Sequence, residues 1–582
     1  MITKIFNKHN LGKILLCTLP LMAAGALTSC SDYFSPDSDD QLMGDDFISS
    51  NTEMYAGFLG IMTKLQAVGD KEILLTETRG EFLQPTENST PELISLYNYD
   101  TDLQSNSYAN PAGYYEVVIA CNDYLQKMAE YRRLAGVDDD VCQDLMSSAL
   151  RIKVWAYKTL GEIYGQAVWF DDPVTSVADL TPANGYTLLS LTELIDKCVE
   201  TMKNGVDGVA ATRDINWIAW LDPDNVTSIA SSTYRKWNSM CPPYAGLMAE
   251  LDLWKGAALD AQQADARSYY KEAADLMLAA LGTYINDESY SGANPYWVPN
   301  AGTSGRYAYL WLSQDPYPAE NVCAIIYDYK NNQTNSLVRH FSAEYPAEYL
   351  LCPTDSGIDR FTNSAKNPGG STSEGRFKYL VGTNSKGKYM SKFRQEGGRS
   401  GIRANAYEDD VHIYIYRATQ YHMMLCEALN HLNRYTALSC VLNGGINSYS
   451  AEIIAGTNAK EWEGFTRNWT ADAEWGNRKY YCEGIRGAYT LSARSIYDSD
   501  TGVTTAQILR HNDMAILEEV MLEFSCEGKS YAWMNRNALR YNDLSIVADR
   551  VCPKYTDESR RSTVRSRILA GGNYVPYDLK VK

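Results

Sequence analysis

Histidine is scarce in this chain: there are six in 582 residues, and none stands at HExxH or a comparable metal-ligand spacing. His412, His422 and His431 are the nearest neighbours, but offsets of ten and nine do not share one helical face, so they read as structural. None of the 13 cysteines forms a CxxC pair, which removes the zinc-ribbon and thioredoxin-type chemistries. No G-x-S-x-G elbow and no P-loop occurs, and Gly387, Gly397 and Gly398 are loop glycines without a phosphate-binding helix start. Long apolar runs are missing too. The stretch Ile14 to Leu27 is interrupted by Cys17, Thr18, Pro20 and Gly25, and it is too short to cross about 30 Å of hydrocarbon, which needs roughly 20 apolar residues.

Positive charge is in deficit, with 53 lysines and arginines against 72 acids and a net charge of −19. Residues 1–29 carry three lysines and no acid, so the remainder of the chain stands at −22. Nucleic acid and anionic lipid are therefore excluded as partners, since both demand a basic surface.

Lys4, Lys8 and Lys13 form a basic segment ahead of the apolar stretch, which ends in Leu27-Thr28-Ser29-Cys30. This pattern resembles a lipobox: small residues admit the peptidase, and the Cys30 thiol takes the lipid. Residues 1–29 are thus expected to be a signal peptide, and 30–50 a lipidated acidic linker. The acidic residues after Cys30 resemble the surface-export signal of Bacteroidota lipoproteins. Contact with the membrane is expected through the lipid alone, on the cell-surface side of the outer membrane.

Eleven cysteines remain after Cys17 leaves with the signal and Cys30 is lipidated. Cys426 and Cys526 sit in apolar helical phase, so most are expected to be small buried hydrophobes, with one or two disulfides left open. Tyrosine is abundant, at 43 against 12 phenylalanines, together with 12 tryptophans. Such residues join a flat apolar face to a polar tip, which suits a wet binding surface as well as a half-buried core.

Helical periodicity appears in four blocks. Residues 145–170 place Leu145, Ala149, Ile152, Ala156 and Ile163 near one face, and Leu160-Gly161-Glu162-Ile163-Tyr164 matches the L-G-x-x-Y of a tetratricopeptide first helix. A helix pair is expected at 244–261 and 267–281, with Tyr270, Ala273, Ala274 and Met277 alternating large and small on one face. Another pair spans 411–434 and 435–450, and a fourth block runs from Asn512 to Cys526. On that last helix, Met514, Leu517, Met521 and Phe524 are expected to face the interior. Long polar and aromatic segments separate the blocks at about 78–112, 208–240, 284–410 and 455–508. They are expected to hold a few short strands, such as 323–327 and 388–393.

Three segments, in order, resemble the SusD/RagB family of surface nutrient-binding lipoproteins. The first runs from Ala149-Leu150-Arg151 to Tyr164-Gly165 and exits at Asp172-Pro173-Val174. The second is Tyr416-Arg417-Ala418 with Met424-Leu425-Cys426-Glu427-Ala428-Leu429. The third runs from Ile516-Leu517-Glu518-Glu519-Val520 through Glu527-Gly528-Lys529, with Val520 and Lys529 where the family has arginine. The tail Tyr574-Val575-Pro576-Tyr577 resembles the family's closing motif. The resemblance implies a mainly α fold: a tetratricopeptide-like scaffold of helical pairs with a large irregular lobe and a few short strands. It also implies docking on a SusC-like TonB-dependent outer-membrane transporter. The expected organisation is a helical region at 51–283, an irregular aromatic-rich lobe at 284–410, and a second helical region at 411–582 interrupted by the loop 455–508.

Paired carboxylates such as Asp171/Asp172, Asp409/Asp410 and Glu518/Glu519 leave a glycoside hydrolase as the weakest of the alternatives. No cofactor is implied, and the chain is expected not to be an enzyme. A carbohydrate binder needs aromatic planes for the C–H faces of sugar rings and amides at the rim for their hydroxyls. The segments 97–115 and 290–311 supply that mixture. The expected ligand residues are Tyr97, Asn98, Tyr99, Tyr290, Tyr296, Trp297, Tyr309 and Trp311, with an oligosaccharide as ligand and a peptide as the competing reading.

Overall fold

The computed structural model describes residues 48–577 apart from 182–183, 215–239, 286–310, 312–319, 365–373, 394–407, 450–459, 466–468, 470–483 and 490. Cys30 and the acidic linker lie outside the described residues. No helix among the described residues is long and apolar enough to cross a membrane.

The scaffold is built from long helices that stack in chain order. These are α1 (Asn51–Gln66), α2 (Gly69–Arg79), α3 (Pro91–Tyr97), α4 (Ala112–Tyr131), α5 (Asp139–Tyr164), α6 (Leu191–Asn204), α7 (Tyr244–Ala261) and α8 (Arg267–Ile285). After the irregular segments follow α9 (Ala418–His431), α10 (Tyr435–Asn443), α11 (Thr505–Phe524), α12 (Lys529–Arg540), α13 (Ser545–Val551) and α14 (Glu558–Leu569). α4 packs on α5, α5 on α6, α6 on α7, α7 on α8, α8 on α9, and α9 on both α10 and α11. α12 returns to pack on α2 and α7, closing the array. Each helix hides its apolar face against its neighbours, as helical-pair repeats do.

The chemistry of helix ends accounts for several of the boundaries. α5 begins before residue 145 because the Asp138 carboxylate caps the backbone N–H groups of Asp140 and Val141. It stops short of 170 at Gly165, which takes the left-handed conformation at φ 72°. Residues Gln166–Val168 then form β2, paired antiparallel with β3 (Leu188–Ser190). α11 starts seven residues ahead of Asn512, because Thr504 and Gln507 close a reciprocal capping box. Gly161 on α5 is a close-approach glycine: a Cβ there would stand 2.7 Å from Leu191 and 3.0 Å from Leu194 on α6. On α8, Tyr270, Ala273, Ala274 and Met277 are all buried against α7 and α9, as their spacing implies.

One expected helix begins as a strand. In the block 411–434, residues Ile413–Arg417 form β8, which pairs antiparallel with β4 (Asn321–Ile325) before α9 starts at Ala418. The sequence Ile-Tyr-Ile-Tyr explains it, because β-branched and aromatic side chains fill a pleated, buried ladder better than a helix. The other pairings are β1 (Leu83–Pro85) with β5 (Leu351–Pro353), and the hairpin of β6 (Val381–Asn384) with β7 (Gly387–Met390). Segments inside 284–410 thus hydrogen-bond to both helical regions. All ten described cysteines after Cys30 are free thiols, and all but the half-buried Cys352 are buried.

Charge is buried where these segments meet α11. The Arg417 guanidinium is fully buried and donates to Glu320 at 3.0 Å, to Glu523 at 2.9 Å and to both oxygens of Glu527 at 2.9 and 3.1 Å. Arg376 donates to Glu374 at 2.7 Å and to Glu523 at 2.8 Å, and pairs with Glu519 at 2.8 Å. Arg486 and Arg494 share the other Glu519 oxygen, and Lys392 pairs with Glu527 at 2.7 Å. Burial by itself raises the Glu519 carboxyl, but Arg376, Arg486 and Arg494 outweigh it and hold the group well below the carboxylate range. Val520 carries no charge at the motif's arginine position, and the helix draws its arginines from distant segments instead.

Leu517, Met521 and Phe524 are buried and Met514 is half-buried, so this face of α11 packs inward as its spacing implies. Phe524 also lies beneath Arg417, 4.3 Å from ring centroid to guanidinium carbon. Phe524→Ala should lower unfolding stability by about 3–5 kcal/mol, measured by denaturant titration. An unchanged midpoint would put this face at the surface.

Candidate functional site

The expected aromatic platform divides into residues that the structure places and residues that it leaves aside. Tyr290, Tyr296, Trp297 and Tyr309 lie outside the described residues. Tyr97, Tyr99 and Trp311 are buried, at 5%, 2% and 2% exposure, and Asn98 is half-buried with its carbonyl accepting from Arg567 at 2.8 Å.

The three buried rings have one feature in common. Arg79 lies 3.8 Å above Tyr99, Lys554 Nζ 4.6 Å above Tyr97, and Lys392 Nζ 4.0 Å above Trp311. Each of these three aromatic faces walls in one of the protein's own buried basic side chains. The same quadrupole that attracts a cation over an aromatic plane is at work. The carbonyls that receive Lys554 come from the C-terminal end of α2. Lys554 donates to the Thr78 and Gly80 carbonyls at 2.9 and 2.6 Å, where the helix dipole is negative. Arg79 donates to the Gly572 and Tyr574 carbonyls at 2.7 and 2.9 Å, so the closing tail is fastened to α2. Tyr97, Tyr99 and Trp311 are therefore core residues, because their planes are covered from within.

One member of each expected carboxylate pair is likewise engaged. Asp171 pairs with Lys153 at 2.7 Å, Glu518 with Arg360 and Arg550 at 2.6 and 3.0 Å, and Asp410 accepts from the Tyr329 amide at 3.2 Å. His431 lies between Asp513 and Asp260, stacked on Tyr270, and His422 is buried against the Ala418 carbonyl. Among the described residues no three His, Cys, Asp or Glu side chains gather into a metal site.

Exposed aromatic surface lies elsewhere. Tyr345 is 90% exposed, on the loop between the short helix Leu337–Phe341 and β5. Exposed polar side chains surround that loop: Arg339 and Glu348 are paired at 2.6 Å, and Asn88 donates to the Glu348 carbonyl at 3.2 Å. Just behind, the Tyr108 hydroxyl meets His340 Nε2 at 2.9 Å. Sequence reasoning overlooked Tyr345, whose only local signal is the Tyr-Pro pair, a turn former that says nothing about solvent. A shallow open depression of about 410 Å³ lies on the outer face of α8, lined by Ser268, Lys271, Glu272, Asp275, Leu276 and Ala279, with no aromatic plane among them.

No family model and no curated protein matches this sequence. Solved structures match over almost its full length. A SusD superfamily protein from Bacteroides vulgatus aligns with a TM-score of 0.59 at 12% identity, covering 91% of this chain and 96% of that one. The chain has the SusD fold. A laminarin-binding SusD-like protein aligns at TM-score 0.55 and 10% identity, covering 88% of this chain and 96% of that one. A SusD homologue from Bacteroides thetaiotaomicron aligns at 0.53 and 14%, with coverages of 90% and 94%. The likeness is one of fold, at 10–14% identity.

Asp252 is a buried acid outside the ion pairs described above. Asp252 on α7 is fully buried, and neither carboxylate oxygen has a hydrogen-bond partner. Burial pushes its carboxyl up to about 8, with Glu272 adding to the rise and Lys203 opposing it. A folded pKa above the unfolded one gives stability that is complete below about pH 4 and lost as pH rises through 8. Asp252→Asn should flatten the fall in stability between about pH 4 and 8, by up to about 1.4 kcal/mol per pH unit. Parallel slopes for wild type and variant in urea unfolding would show that Asp252 does not hold its proton.

Proposed function

We propose that this chain is a surface lipoprotein that captures an oligosaccharide and passes it to a SusC-like TonB-dependent transporter in the outer membrane. The observation that carries the reading is the fold likeness over almost the whole chain, which includes a protein described as laminarin-binding. The lipobox ending in Cys30 supports attachment by lipid. The abundance of tyrosine and tryptophan beside asparagine in 290–309 supports sugar as the ligand. The role is capture rather than cleavage: of the carboxylates that a hydrolase could use, Asp171, Glu518 and Glu519 are each held in an ion pair.

Calorimetry of the mature protein against a panel of β-1,3-glucan, α-1,4-glucan and sialylated oligosaccharides tests the ligand class. Saturable binding of at least one glycan, with the sugar recovered intact, is the expected result. Products that accumulate with time and vanish when one carboxylate is replaced would make the chain an enzyme, and binding confined to a peptide set would make it a peptide carrier. Cys30→Ala should release the protein from the outer-membrane fraction of the cells that express it. Retention at the wild-type level in that fraction would remove the lipid from the account.

A further inference from the structure

A single exposed tyrosine needs no explanation on its own. What sets Tyr345 apart is how firmly its loop is held. Ser342 N–H donates to the Val338 carbonyl at 2.9 Å, Glu344 N–H to the Ser342 hydroxyl at 3.2 Å, and Ala347 N–H to the Glu344 carbonyl at 2.9 Å. Glu348 and Tyr349 both donate from the backbone to the Arg339 carbonyl, at 3.0 and 3.2 Å. The base of the loop is pinned to the segment after β1, where Thr86 Oγ1 donates to the Tyr349 carbonyl at 2.5 Å. Behind it the Tyr349 hydroxyl donates to the Lys388 carbonyl of β7 at 2.6 Å. The hydrogen bonds fix the backbone on both sides of a ring that is itself almost entirely in water. An aromatic plate held in place ahead of binding loses little further freedom when a ligand arrives.

The surroundings select the ligand. Arg339, Glu348 and Asn88 supply donors and acceptors suited to hydroxyl groups, and all three are exposed. A protein partner would want a desolvated apolar centre from which charge is depleted, and here one exposed ring stands on a loop whose base carries the exposed ion pair of Arg339 and Glu348. We propose that Tyr345 is a stacking platform for one pyranose ring of an oligosaccharide, with Arg339, Glu348 and Asn88 at its rim. The proposal rests on the glycan-capture reading and adds to it a site.

The test compares wild type, Tyr345→Ala and Tyr345→Phe, as mature full-length proteins, on the same three glycan classes and a tripeptide set. Tyr345→Ala should bind the wild-type glycan at least tenfold more weakly. Tyr345→Phe keeps the plate and should stay within about twofold. Both should unfold at the wild-type temperature, because the ring makes almost no core contact. Tyr329→Ala, at a second tyrosine 42% exposed, should bind as wild type does. Undiminished glycan binding by Tyr345→Ala would overturn the platform while leaving glycan capture standing. A wild-type protein that binds tripeptides or nothing would overturn both.

Discussion

The fold depends on the buried guanidinium of Arg417. It sits where the end of β8 meets the start of α9, and its donors reach carboxylates from three places in the chain: Glu320 before β4, Glu523 on α11, and Glu527 in the turn to α12. An ion out of water costs several kcal/mol unless its partners are in place, and the attraction is large only when they are. The charges and the fold therefore require each other. With Arg376 and Lys392 added, Glu519, Glu523 and Glu527 become a row of attachment points along the end of α11 and the turn that follows it. Segments distant in sequence are fastened to the scaffold there by charge as well as by their buried apolar side chains.

The same economy shows in the aromatic residues. A buried lysine or arginine keeps its charge more readily with a π face against it and carbonyls around it. Tyr97, Tyr99 and Trp311 provide such faces, and α2 provides the carbonyls at its C-terminal end. Much of the tyrosine content that resembles a ligand-binding surface is thus internal. The candidate surface that remains among the described residues is the Tyr345 loop, held by backbone hydrogen bonds rather than by its ring.

Much of the scaffold was legible in the sequence. α7 and α8 begin where their periodicity begins, the alternating face of Tyr270, Ala273, Ala274 and Met277 is buried, and Gly161 is where a neighbouring helix comes close. Each of these is a local property: a helix face repeats every three or four residues, and a glycine or cap acts within one turn. The helical start assigned to 411–417 failed because apolar residues in a short run satisfy two periods equally, and only pairing with β4 selects the strand.

The aromatic segments carry no period, so nothing local says which ring faces water. Tyr97 and Tyr345 are the same residue, and one is 5% exposed while the other is 90% exposed. The sequence by itself determined the helical-pair architecture and the faces that pack it, because those follow from spacing along one chain. Tertiary structure alone decided which cation meets which carboxylate and which aromatic plane is covered. Arg417 and Glu523 are 106 residues apart, and Lys554 and Tyr97 457 apart. Pairings over such separations depend on how every intervening helix packs.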